Sequence, residues 1–184
     1  MVYKMVDPIT LSVAWGALVS IGEQMGVALA RTAHSNAVKD GYDFSAAVFD
    51  AKGHLVAQGD FSPGHLGAML YNVKHVLEYF PPDQLKEGDG IILNDPWMGT
   101  GHFPDITMVS PVFVDSTLVG FVANTAHHVD VGGAVPGSQI VEGVVDYYQE
   151  GLRILPVKCW EAGEENDQII RLLTANVRLP NQFL

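Results

Sequence analysis

Two apolar runs, "ITMVSPVFV" (106–114) and "LVGFVANTA" (118–126), flank Asp115–Ser116–Thr117 and constrain the fold more than any other feature of the chain. Strand-forming segments this close in sequence fold back on each other as an antiparallel hairpin. With a three-residue loop centred on Ser116, facing residues have numbers that sum to 232, so Val114 faces Leu118 and Asp105 faces His127. Directly opposed residues bring their Cβ atoms to roughly 4.5–5.5 Å, close enough to share one ion. Successive strand residues point to opposite faces, so His127 and His128 cannot both join Asp105. This register selects His127. A two-residue loop, or a bulge at Pro111, would exchange the two histidines. Pro111 itself implies an edge strand or a bulge.

The hairpin is entered from "GTGHFPD" (99–105). Its glycines and Pro104 let His102 fold back towards Asp105. Two imidazoles and a carboxylate leave coordination positions open, the pattern of a catalytic rather than a structural metal site. Manganese, iron and zinc all accept these donors. An ion here would act as a Lewis acid on a carbonyl or would acidify bound water. Histidine and aspartate also serve glycine-rich loops as caps and turn formers. It is the opposition of Asp105 to His127, with His102 nearby, that favours the metal.

The rest of the chain reads as one domain, 1–184, of α+β class: a mixed, largely antiparallel sheet with hairpins packed against helices. Asp7 caps a first helix that Pro8 opens, with Ala14, Leu18, Ile21, Met25 and Leu29 on one stripe. Segments 43–50 and 54–59 form a hairpin around "AKG". Ser62 and Pro63 start a second helix with an apolar face of Leu66, Leu70, Val73, Leu77 and Phe80, ended by Pro81–Pro82. A short buried strand lies within 87–95, and 169–177 forms a last helix before Pro180. Segment 140–160 carries no clear pattern.

Composition excludes several function classes. The chain has 21 Asp+Glu against 10 Lys+Arg, a net −11, and no basic cluster, so neither nucleic acid nor an anionic membrane is an expected partner. Cys159 is the single cysteine, which rules out an internal disulfide and suits a reducing compartment. "LSVAWGALVSIG" (11–22) imitates a targeting signal, but Asp7 sits where a basic region belongs and the run is too short to span a bilayer. The expected location is cytoplasmic. Charged residues are only 17% of the chain, which fits a surface partly covered by a partner. No P-loop, dinucleotide fingerprint or nucleophile elbow is present.

The blocks "RTAHSNAVKDGYDFSAAVFDAKGHLVAQGDFSPGHLGAM", "LNDPWMGTGHFPDITMVSPVF", "GFVANTAHHVDVGG" and "YQEGLRILPVK" resemble the hydantoinase B/oxoprolinase family from about Asp7 to Leu179. The family includes B-type components of N-methylhydantoinase, 5-oxoprolinase, caprolactamase-like lactamases and acetone and acetophenone carboxylases. The resemblance implies a divalent metal on His102, Asp105 and His127. It also implies ATP, used through a hydantoinase A-type ATP-binding subunit that phosphorylates the substrate's carbonyl or enol oxygen. Asp43, in "YDFS", is then an acid or base at the substrate, with His128 as the other proton carrier. His65, in "PGHLG", and Asn94 are placed as contacts to the small-molecule substrate. Family members are several times longer, and this chain matches their N-terminal part, so a further chain supplying the C-terminal part is an expected partner. The implied reaction is ATP-dependent opening of a cyclic amide. The alternatives are a ketone carboxylase subunit and a shortened, non-catalytic assembly subunit.

Overall fold

The computed structural model describes residues 6–138 and 142–183. Seven strands form one sheet: β1 (Phe44–Asp50), β2 (Leu55–Gln58), β3 (Gly90–Leu93), β4 (Asp105–Val114), β5 (Thr117–His127), β6 (Val157–Glu161) and β7 (Glu164–Glu165). Their order is β2-β1-β5-β4-β3-β6-β7. Every pairing among the described residues is antiparallel, so the sheet is not mixed. Among the described residues four helices pack against it: α1 (Pro8–Thr32), α2 (Asn36–Lys39), α3 (Pro63–Tyr79) and α4 (Asp167–Ala175). The α+β class holds.

Alternation along the strands divides the core. Ala47, Phe49, Ile91, Leu93, Val109, Phe121 and Ala123 face α3, where Met69, Val73 and Val76 fill the space between them. The opposite face packs Ile92 and Ile106 against Ile170 and Leu173 of α4, together with Phe103, Val131, Ile154 and Phe183. The buried line on α3 is His65, Met69, Asn72, Val73 and Val76. The helix is therefore rotated from the expected stripe, leaving Leu70 41% exposed. A histidine and an asparagine occupy the sheet-facing line, which a hydropathy reading does not score.

The first helix is capped as expected, Asp7 Oδ1 accepting from Ile9 N at 3.1 Å and Thr10 N at 2.9 Å. Its packing is not the expected stripe: Ile21 is exposed, while Gly22 and Gly26 are buried. A Cβ on Gly26 would lie 2.1 Å from the Phe61 ring, so the helix meets the sheet through bare backbone. At 25 residues this helix has the length and apolar character to cross a membrane, contrary to the expectation from the shorter run. Its second half is nonetheless built into the fold through those glycines.

The central hairpin differs from its sequence reading in an instructive way. Its turn has two residues, Asp115 and Ser116, with φ of 47° and 63°, and Val114 pairs with Thr117. That alone would place Asp105 opposite Ala126. The register then shifts between Val112 and Phe113, where Val112 faces Gly120 and Phe113 faces Leu118, leaving Val119 as an extra residue. The two departures cancel. Asp105 faces His127. Pro111 is tolerated because β3 pairs with β4 only over Thr107–Val109, so the strand is an edge where the proline sits.

Candidate metal centre

The same alternation that buries Val109 and Ala123 carries Asp105 and His127 to the α3 side of the sheet, at the strand ends beside the first turn of α3. His127 Nδ1 lies 3.0 Å from Asp105 Oδ1. The loop before β4 turns back at His102, whose carbonyl accepts from the Asp105 amide at 3.1 Å. His102 Nε2 thereby reaches 2.9 Å from Asp105 Oδ1 and 3.1 Å from His127 Nδ1. Among the described residues these three form a group whose ligand atoms lie within 4.8 Å of one another.

The triangle is informative about charge. Burial alone would push the Asp105 carboxyl up, but hydrogen bonds from His102, His127 and His65 outweigh it and hold the group far below the usual carboxylate range. An ionised carboxylate brings no proton, so two imidazoles supply at most two for three edges. One edge is left with polar atoms close together and nothing between them. A cation at the centre satisfies all three. Two imidazole nitrogens and one carboxylate oxygen about 3 Å apart are donors that a divalent ion would accept. The residues present fit a divalent metal.

Two further groups border the triangle. His65 Nε2, from the first turn of α3, lies 3.3 Å from Asp105 Oδ2 and 3.6 Å from Asp43 Oδ1. Since Oδ2 accepts, the proton of His65 belongs on Nε2; its Nδ1 is buried without a hydrogen-bond partner. His65 thus orients Asp105 so that Oδ1 faces the imidazoles. Asp43 Oδ2 lies 3.8 Å from His127 Nδ1, and its side chain is 43% exposed, so it stands at the open side. The Asp43 carbonyl also accepts from the His127 amide at 3.1 Å, which ties β1 to the site. On His102, the hydrogen bond to Asp105 outweighs burial and raises the imidazole pKa, with Glu150 and Asp43 adding negative potential.

The other expected site residues fall elsewhere. His128 points to the opposite face of the sheet, where its Nδ1 lies 3.1 Å from Ala126 O and its ring packs on Phe183. Burial lowers its pKa. Strand alternation removes it from the cluster, so the part given to it in proton transfer has no geometric basis. Asn94 is fully buried, and its amide is committed to the backbone at Phe103, Leu152 and Ile154. The expected substrate contact is therefore replaced by a structural one.

Sequence reading missed three features. Glu150 comes near enough to His102 to act on its charge, and "YQEG" gave no sign of it. The buried Asp95 pairs with Arg153, whose Nε donates at 2.9 Å, and Trp97 lies over that guanidinium. Asn72 of α3 donates to Thr107 Oγ1 at 2.7 Å, and Thr107 is 2.7 Å from Thr125, a polar rung one step in from Asp105 and His127. Thr107 and Thr125 face each other in the predicted register, but nothing in the sequence brings α3 to them.

A family model described as hydantoinase B/oxoprolinase matches residues 7–184. An uncharacterised protein of Methanocaldococcus jannaschii is 42% identical over 180 residues, which are 97% of this chain and 32% of that protein. Caprolactamase subunit beta of Pseudomonas jessenii is 38% identical over 173 residues, covering 94% of this chain and 29% of the subunit. The crystal structure of the ATP-dependent caprolactamase from the same organism superposes with a TM-score of 0.81 at 36% identity, over 95% of this chain and 30% of that one. A nucleotide-free acetone carboxylase shares the fold, with a TM-score of 0.83 at 22% identity over 96% of this chain and 23% of that one. The chain thus spans about a third or less of the length of these proteins.

Proposed function

Because the chain belongs to the hydantoinase B/oxoprolinase family, we propose that it supplies the metal-bearing part of an ATP-dependent enzyme that opens a cyclic amide. The substrate class is a hydantoin, a 5-oxoproline or a lactam. ATP is used through a hydantoinase A-type partner, and a further polypeptide covers what this chain leaves open. The observation that carries this reading is the His102–Asp105–His127 triangle, with edges of 2.9, 3.1 and 3.0 Å around an ionised carboxylate. A zinc, manganese or iron ion bound there would supply Lewis acidity.

The chain's own groups have distinct parts. His102, Asp105 and His127 would hold the ion, and His65 fixes the carboxylate through its outer oxygen. Asp43 stands at the open side beside His65 and is the group placed to take or give a proton at the substrate. An amide carbonyl is a poor electrophile, so phosphorylation of its oxygen by the partner, with ATP converted to ADP, prepares the carbon for attack by water. The ring C–N bond then breaks as the amine takes a proton, and a second water releases phosphate. Similarity to the caprolactamase subunit, at 38% identity, favours an amide over a ketone. Cys159 has no part: burial pushes its thiol up to about 12, which leaves it protonated and inert in the reducing cytoplasm where this reaction belongs.

The test is ATP turnover by the chain co-expressed with its A-type partner and the polypeptide that completes the site. The assay compares hydantoin, 5-oxoproline, caprolactam, and acetone with bicarbonate. Stimulation by a cyclic amide, abolished by His102→Ala, is the expected result. Turnover that requires bicarbonate would replace ring opening by ketone carboxylation. A complex that turns over no member of the panel, with or without added metal, would leave the chain as an assembly subunit.

A further inference from the structure

Between the ligands His102 and Asp105 the backbone turns sharply, and the carbonyls of that turn are all bound. His102 O accepts from the Asp105 amide at 3.1 Å, and Pro104 O accepts from the His128 amide at 2.8 Å. The one between them, Phe103 O, accepts from a side chain: Asn94 Nδ2, at 2.7 Å. The same amide donates its second proton to Leu152 O at 2.8 Å, while Asn94 Oδ1 accepts from Ile154 N at 2.6 Å. The backbone of Asn94 also donates to Ile154 O at 3.0 Å. Next to it, the buried Asp95 carboxylate grips Arg153 of the same segment.

We propose that Asn94 is a positioning residue of the metal centre, setting His102 against Asp105 and His127 by clamping Phe103 to the Leu152–Ile154 segment. The inference rests on the metal reading above. Two donors and one acceptor on a single planar group meet two carbonyls and one N–H, a pattern that no other side chain of this size reproduces. Aspartate has the same shape, but it turns oxygen lone pairs towards Phe103 O and Leu152 O and repels both. The loop then withdraws and carries His102 with it. Groups that orient ligands without touching the ion set metal affinity by roughly 10–100-fold.

Cobalt(II) titration of the full chain, followed by its visible absorption, tests this on wild type, Asn94→Asp, Asn94→Ser and Val109→Ala. The last truncates the core on the α3 side without touching the loop. Amide hydrogen exchange at Asp105 and His128, recorded without metal, reports the loop directly. Asn94→Asp is expected to raise the cobalt Kd about tenfold or more, with a shifted absorption spectrum and faster exchange at both amides. Asn94→Ser, which keeps a donor but loses the reach, gives the same changes in smaller measure and serves if the aspartate variant does not fold. Val109→Ala lowers Tm yet keeps the Kd within about twofold. Asn94 variants that resemble Val109→Ala in Kd, spectrum and exchange overturn the inference alone. Wild-type chain that takes up no cobalt overturns the metal reading and this inference with it.

Discussion

Asp105 and His127 face each other across the β4–β5 ladder, with Nδ1 and Oδ1 3.0 Å apart, because a two-residue turn and a bulge at Val119 offset one another. His128 is displaced by one residue and faces away. His127→Ala should therefore abolish cobalt or zinc binding. His128→Ala should leave the affinity within about twofold, since its ring packs on Phe183 at the opposite face of the sheet. Equal losses in isothermal titration would overturn the pairing of Asp105 with His127.

Metal affinity should depend on pH through His102. Its pKa is raised above the usual imidazole value, chiefly by the hydrogen bond to Asp105, so protons compete with the metal for Nε2. Below that raised pKa the protonated form is favoured and the ion must displace a proton. Above it the competition disappears. Affinity should accordingly rise as pH increases from about 6 to about 8, the region in which histidine titrates, and metal uptake should release protons measurable in weakly buffered titrations. A flat profile would count against His102 as a ligand.

Gly99 opens the metal loop with φ of 127°, and a Cβ there would lie 2.5 Å from Asn72 Oδ1 and 2.6 Å from Ala68 O. Gly99→Ala should cost roughly 1–3 kcal/mol, from backbone strain and from displacing the loop off α3. Thermal denaturation checks the stability. The same variant should bind metal more weakly, because the displaced segment leads directly to His102.

Acid stability should depend on Asp89, whose buried carboxylate lies 2.7 Å from Lys158 Nζ. Burial would raise its pKa, but the hydrogen bonds from Lys158, Ala162 N and Lys86 N outweigh it, and the pKa falls below the ordinary value. A carboxyl held lower in the fold than in the unfolded chain contributes stability that is complete above about 3.9 and is lost as pH falls towards the folded value. Asp89→Asn should therefore be less stable than wild type at pH 7, and the gap should narrow below about pH 4. Urea denaturation across that range measures it. A gap that stays constant would assign Asp89 no such role.

Much of this protein was legible because its signals are local. Asp7 and Pro8 start α1, Pro63 starts α3, and Pro81–Pro82 stop it, each through a few neighbouring backbone groups. The hairpin was legible because strand alternation and a short turn leave few registers. Even so, its turn type was misread, since the two positive-φ residues are Asp115 and Ser116 rather than glycine. The faces of α1 and α3 were misread for a related reason. Glycines let α1 approach the sheet, and His65 and Asn72 are buried for their hydrogen bonds, and hydropathy weighs neither.

By itself the sequence determined the donor types and the opposite facing of His127 and His128, because these follow from side-chain chemistry and from the two-residue period of a strand. The pairing of Asp105 with His127 rests on the two-residue turn and the bulge at Val119, which offset one another. Only the tertiary structure decided what surrounds that pair. The approach of His65 comes from the docking of α3, Asp43 arrives from β1, and Glu150 and the Asn94 clamp depend on the segment around Leu152–Ile154. Those partners lie tens of residues apart along the chain. What brings them together is the burial of two sheet faces, a property of the whole fold that no local spacing encodes.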